Sequence, residues 1–561
     1  MASRAGGETT GILTGNYEWF RGFTTPFGTS TGLARIVPVH TISQDLSWNK
    51  GAHSFHFGAT VRLISNNSTS YSHSFSSASS NPSWIKGTGS DFTPASLNIA
   101  RSDNTSYQYA MAALLGLESQ GTADYNYKTD GSLIPMGAPV MRDFVNHEGE
   151  MYAQDTWKAT RNLTVTAGVR FSLAPAVYEA NGQQVSPSMP FQTFMNTRAA
   201  LADQGLSQMG VGLVSFVAGN SSAGRPLYPE HKNWSPRLGL AYSPKAESSL
   251  AKFLFGGAGK TSIRAGAGMY YDEMGQPLAQ TINANAFGLA TTLTTPPNVL
   301  TTSQLPRYTT FYTVPSAIVP APGPSGLGAP YPTSGAGSFA ITSSLDDKLK
   351  APYTMNLNFS VGRDFGHGFF LQGSYVGRLS RNTLTDRDMA AYTNLRDPKS
   401  GQTFYQAMNQ LATMIDYQGV SIASMPKIPF FENMWPAAAG NGFSATQVWA
   451  KDYYENNAQG DFSDVLNDFD NAANCHVGST VFSASGGVNQ GACGAQGPWM
   501  MFNPQFSALA AWSSIGKGDY HAMQWTLRER FGSGLQFDLN YTWSKSIDLG
   551  SARESDAGTG N

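Results

Sequence analysis

The residues whose types could do chemistry are few, and their spacing is wrong for most of it. Gly256-Gly257-Ala258-Gly259-Lys260-Thr261 has the composition of a phosphate-cradling loop. That loop needs a glycine five positions before Gly259, where Leu254 stands, and a helix after the lysine, where a strand-like alternation begins. Gly28-Thr29-Ser30-Thr31-Gly32 has the spacing of a nucleophile elbow, but its Thr, Gly and Pro flanks supply neither the strand before it nor the helix after it. His53 and His56 are three apart in an alternating stretch, so they point to opposite faces of a strand and do not share a metal. His147-Glu148-Gly149-Glu150 lacks the second histidine of a zinc-protease helix. Asp461, Asp464, Asp468 and Asp470 miss the spacing and the central glycine of a calcium loop and read as a solvated acidic loop. No titratable group stands beside an evident partner, so no catalytic residue, cofactor or metal is expected, and an enzyme is not expected. Cys475 and Cys493 lie 18 apart in a Gly/Ser/Asn-rich stretch. They are a candidate disulfide in an oxidising compartment, the alternative being two free thiols; without suitably spaced histidines they make no zinc site.

The elements that must position these residues are set by composition first. A prior of ~150 residues per domain gives about four domains for 561 residues, but the surface chemistry argues against a soluble assembly. Charged residues are 13% of the chain, against ~25% in ordinary soluble domains. Mean hydropathy is only -0.26, and no run of ~18 apolar residues could form a spanning helix. A net charge of -2 gives no drive toward nucleic acid. Few charges, 12% aromatics and 59 glycines fit an all-β chain, and a transmembrane β-barrel in particular, because a barrel spreads its apolar residues over every second position.

That alternation recurs in pairs. Ile42, Leu46 and Trp48 oppose Ser43, Asp45 and Ser47; after Lys50-Gly51, Phe55, Phe57, Ala59, Val61 and Leu63 oppose His56, Gly58, Thr60 and Arg62. The later pairs are 143–158 with 163–173, 234–243 with 261–272, 353–365 with 369–378, and 519–531 with 535–545. Period two with one apolar face predicts β-hairpins, about ten strands in five of them. Turns within hairpins are mostly two to four residues, whereas the connections near 65–142, 174–233, 273–352 and 379–518 are long. Short turns alternating with long loops mark an outer-membrane barrel. Residues 65–83 and 319–338 have loop composition, and Thr403 to Met414 is a candidate helix.

Aromatics sit where a bilayer would want them. Trp48 and Trp157 lie beside short turns, at one edge; Tyr541 and Trp543 lie about 14–19 Å up their strand, toward the other edge of a ~25 Å apolar band. These four are candidate membrane-interface residues. The opposite faces carry Arg62, Arg170, Arg264, Arg528 and Arg530 with Asp538 and Asn540, which are expected to line a lumen and to pair there.

The hairpin YAQDTWKATRNLTVTAGVRF (152–171) resembles one in TonB-dependent outer-membrane transporters of the Oar-like group. So do HTISQDLSWNKGAHSFHFGATVR (40–62), NWSPRLGLAYSP (233–244) followed by GKTSIRAGAGMYYD (259–272), YTMNLNFSVGRDFGHGFFLQGSYVG (353–377) and DYHAMQWTLRERFGSGLQFDLNYTWSKSID (519–548). The resemblance implies an antiparallel barrel of about 22 strands with a plug and an amino-terminal carboxypeptidase-regulatory-like β-sandwich, set in the Gram-negative outer membrane. It also implies uptake of a bulky, unidentified ligand driven by the TonB complex. This sequence has no recognisable sandwich, plug, TonB-contacting segment or signal peptide. The expectation is therefore a partial barrel, residues 1–561 of a larger one, inactive in transport alone and prone to aggregate. The rival expectation is a surface binding or adhesion protein whose barrel, held in outer-membrane lipid, anchors long loops.

Overall fold

The computed structural model describes residues 32–87, 98–222, 224–245, 247–275, 278–279, 287–307, 315–331, 340–440, 442–456, 462–470, 493–530, 534 and 536–549. Its framework is a wall of ten long strands: β1 (Val39–Lys50), β2 (His53–Ser70), β3 (Val140–Thr160), β4 (Leu163–Ala174), β5 (His231–Tyr242), β6 (Thr261–Tyr271), β7 (Tyr353–Gly366), β8 (Phe369–Asp388), β9 (Phe506–Arg530) and β10 (Gln536–Asp548). Each pairs antiparallel with the next in sequence. The alternating pairs of the sequence are these hairpins. Tight turns make the reversals. Gly51 has φ +59° between β1 and β2, and Gly366, His367 and Gly368 all have positive φ between β7 and β8, a region glycine enters freely.

Register sorts the side chains into two faces. Leu46 faces Phe57, and Leu238 faces Ala167 and, on the other side, Ala267. This apolar face is the exposed one: Ile42 is 73% exposed, Trp234 59% and Leu539 58%. A soluble sheet would cover such a face. Here no layer of helix or second sheet does so among the described residues.

The strands outrun the apolar pattern on the long-connection side. Ser65–Ser70, expected as loop from its Ser and Asn content, continues β2 and pairs with Val140–Val145. Likewise β8 runs to Asp388, and β9 already starts at Phe506. Ladder hydrogen bonds are made by backbone, so polar side chains on both faces do not stop them once the strand has left the apolar band. One pairing is parallel: a short strand, Ala340–Leu345, lies along Phe506–Trp512 of β9.

The packed core lies in the long connections. Helix α1 (Phe191–Asp203) belongs to the connection after β4; α2 (Phe404–Ala412), α3 (Pro429–Met434), α4 (Ala445–Asn456) and α5 (Phe462–Asp470) belong to the one after β8. Helix α2 falls within the expected stretch. Thr403 caps it, its Oγ1 accepting from the Gln406 N–H while the Gln406 side chain accepts from the Thr403 N–H. Phe404, Phe430, Trp435, Trp449 and Phe469 close a core between α2 and α5, with Phe469 stacked on Trp449 at 4.2 Å. A second core draws Phe191 and Phe194 of α1, Phe216, Leu345 and Met389 from three connections, together with Trp512 from the start of β9, into one head.

Two buried charges tie this head together. Arg198 of α1 donates to the carbonyls of Met389 (2.7 Å), Ala391 (2.8 Å) and Met501 (3.3 Å) and to Gln208 Oε1 (3.2 Å). Burial lowers its guanidinium pKa to about 10, so it remains protonated at neutral pH. Asp470, expected in a solvated acidic loop, is wholly buried and accepts from the backbone N–H groups of Met500, Met501 and Phe502. Asp461 lies outside the described residues.

Replacing Arg198 with Met removes the donor to the buried Met389 carbonyl and Gln208 Oε1, so the head should lose on the order of 3 kcal/mol. Asp470→Asn sets an amide N–H against backbone N–H groups and should cost about 1–3 kcal/mol. Limited proteolysis checks both: cleavage within 389–505 should speed up while the wall strands stay protected.

Candidate functional site

The polar face of the wall is where functional side chains converge. Register places Arg62, Glu148, Glu150 and Arg170 there, on β2, β3 and β4. Arg62 pairs with Glu148 (3.0 Å), with Glu273 just beyond β6 (3.1 Å) and more loosely with Glu150 (3.8 Å). Arg170 pairs with Glu150 at 2.7 Å and lies over the Tyr152 ring, 5.4 Å from its centroid. Tyr152 donates to Asp45 across Gly58, where a Cβ would come within 2.3 Å of both side chains. Any larger residue at position 58 would break that contact. At the other end of the wall Arg528 pairs with Asp538 at 3.2 Å. Apart from the buried Glu148, these side chains are partly exposed, and exposed pairs of this kind contribute about 0–1 kcal/mol each. Their role is to set a fixed pattern of charge along the face.

The middle of the face is more open. Gly239, Gly266 and Gly268 floor a cavity of about 420 Å³, with Arg237, Arg264, Asn356 and Asn358 around it. The Arg237 guanidinium sits over the Tyr270 ring, 4.5 Å from its centroid. Arg264 has no ion pair among the described residues. Two arginines and two carboxamides over a glycine floor suit an anionic or hydroxyl-rich solute, which would meet donors rather than apolar surface. Nearer the long connections, Arg378, Ser380, Tyr520 and Asp548 line a second cavity of about 590 Å³.

The sequence-derived candidates fall as follows. Arg62, Arg170, Arg264, Arg528 and Arg530 are all on the polar face. The acidic partners were not anticipated, because Glu148 and Glu150 become neighbours only through strand pairing and Glu273 reaches Arg62 from beyond the end of β6, across non-adjacent strands. His53 and His56 do face opposite ways: His53 contacts Asp155 at 2.6 Å, and His56 contacts Ser47 at 3.0 Å. Gly256 ends the short helix Ser249–Phe255 in a left-handed cap, and the chain then enters β6 instead of a phosphate-binding helix. No group of three metal-ligating side chains occurs among the described residues.

Trp48 and Trp157 stand on the apolar face beside the short turns, 51% and 43% exposed. Trp48 stacks on Phe55 at 5.4 Å, and Trp157 stacks on His53 at 5.6 Å. Tyr541 and Trp543, 61% and 72% exposed, stand on the same face of β10. Cys493 is buried, and Cys475 lies outside the described residues.

A family profile described as "Outer membrane beta barrel domain" matches residues 5–561. No curated protein matches. Among solved structures, the outer membrane transporter YddB from Escherichia coli is 10% identical, with a TM-score of 0.34, and the alignment covers 92% of this chain and 34% of that one. The siderophore receptor PirA from Pseudomonas aeruginosa is 8% identical, with a TM-score of 0.24, covering 93% and 61%. The FrpB iron transporter from Neisseria meningitidis (F3-3 variant) is 9% identical, with a TM-score of 0.23, covering 92% and 53%. The chain thus spans about a third to three fifths of the length of these structures. At such identities and scores the assignment rests on the family profile and on the wall itself. An antiparallel wall with an exposed apolar face, a polar inner face and an end-to-end profile match together place this chain in the outer membrane beta barrel domain family.

Proposed function

We propose that the chain is the wall and outer head of a TonB-dependent outer-membrane transporter or receptor of the Oar-like group, taking up a bulky ligand. The observation that carries this reading is the polar face: fixed ion pairs flank an arginine- and carboxamide-lined hollow, close to connections that fold into one body. A channel wall needs such donors to pass a solute. The TonB complex would supply the driving force. Trp48, Trp157, Tyr541 and Trp543 serve as anchors at the two membrane interfaces in this reading, with outer-membrane lipid as their partner. Cys475 and Cys493 close a disulfide within the head. The second reading, a surface binding or adhesion protein, draws on the size of the aromatic core in the head, which a pore alone would not require.

The two readings part on energy coupling. Cells carrying the chain are exposed to labelled bulky peptides, oligosaccharides and iron chelates, with and without TonB. Accumulation that needs TonB, and that falls in Arg264→Glu while surface display is unchanged, supports transport. Surface retention equal in both strains supports adhesion.

Membrane exposure of the apolar face has its own check. Val361 lies about 12 Å above its turn, near the middle of a ~25 Å band. Val361→Arg should lower the stability of the inserted protein by about 2–4 kcal/mol, whereas Ser360→Gln on the other face should leave it near wild type. Heat-shifted gel mobility reads the folded fraction. For the cysteines, a thiol-alkylating reagent should add no mass to the unfolded chain until a reductant is present.

A further inference from the structure

We propose that the outward face of β8–β10, at the level where the apolar band ends, is a binding site for a phosphate-bearing glycolipid headgroup of the outer leaflet. The inference rests on the membrane reading of the wall and goes beyond it by naming a lipid and its contacts.

Register places Arg381 of β8 directly opposite Lys517 of β9, on the face that carries Leu379 and Leu527. Lys545 of β10 stands opposite His521 on the same face, and His521 bonds Tyr375 at 2.8 Å. The one carboxylate among them is Asp519, which holds Arg381 at 2.5 Å. Lys517 and Lys545 are exposed and have no ion pair among the described residues. Asp519 balances Arg381, so Lys517 and Lys545 leave this face with positive charge that no neighbouring carboxylate among the described residues offsets and that a bound anion would offset.

Height identifies the anion. At ~3.3 Å per residue and ~45° tilt, Lys545 lies about 23 Å above the β9–β10 turn, and Lys517 and Arg381 lie roughly 28–30 Å up. The apolar band is ~25 Å tall, so the three cations bracket its upper edge. On the same face Trp543 lies just below Lys545, and Tyr541 and Trp525 lie lower, toward the middle of the band. Acyl chains would pack on these rings, and the headgroup phosphates would then sit among the cations. No comparable group stands on β4, whose outward residues are Leu163, Val165, Ala167, Val169, Phe171 and Leu173.

The test uses the full chain, folded in detergent, with purified bis-phosphorylated lipid A and its dephosphorylated form as probes and native mass spectrometry as the readout. Wild type should retain the phosphorylated form preferentially, and Lys517→Gln/Lys545→Gln should lower that retention roughly tenfold. Lys517→Arg/Lys545→Arg should restore it. Heat-shifted mobility equal to wild type shows that each variant has folded. Equal retention of the two lipids, or undiminished retention by the glutamine variant, overturns the proposal while leaving the membrane reading intact. A wild-type chain that neither inserts into vesicles nor shows the heat shift overturns both.

Discussion

Backbone hydrogen bonding in hydrocarbon is the constraint on which everything else here depends. A bilayer core offers no water to an unpaired N–H or C=O, so a chain that crosses it as strands must pair each strand with a neighbour. The unbroken order from β1 to β10 meets that demand along the wall. It also frees the side chains. With the backbone satisfied within the sheet, one face can be apolar and exposed, and the other can carry arginines and carboxylates without desolvating them in a core.

The hydrophobic effect is thereby divided between two places. On the wall it works against lipid, and residues such as Ile42 and Leu539 need no protein partner. In the head it works in the ordinary way, with Trp435 and Trp449 fully buried between helices. Where helices and short strands leave backbone groups unpaired, the head must satisfy them with side chains. Arg198 and Asp470 do this at opposite polarity, one supplying donors to stray carbonyls and the other accepting from stray N–H groups.

What was legible in the sequence follows the same division. Period two is imposed by lipid on one side and water on the other, so each wall strand announces itself, and with it the side of the sheet on which Arg62 or Arg528 lies. Ser65–Ser70 was not legible as strand, because beyond the lipid both faces are polar and the alternation vanishes while the pairing goes on. The partners of Arg62 were illegible for another reason: Glu148 and Glu273 are 86 and 211 residues away, the first brought in by register and the second by the tertiary fold. Asp470 misled for a third reason. In a Ser/Asn/Asp-rich stretch an aspartate reads as solvated, and nothing local reveals that three N–H groups will close around it.

The parallel strand Ala340–Leu345 carries a consequence for the order of assembly. It precedes β7 in the chain, yet its partner is the first part of β9, more than 160 residues later. The segment therefore has no edge to join until β7, β8 and β9 have been laid down. Synthesis order and folding order are reversed at this point: the connection after β6 is made early and finished late. Contacts so distant in sequence slow a folding reaction, because the loop between them must close before the pairing rewards it. This part of the head is thus completed only once β9 is in place, and a chain arrested before β9 would hold Leu345 and its neighbours without the core that buries them.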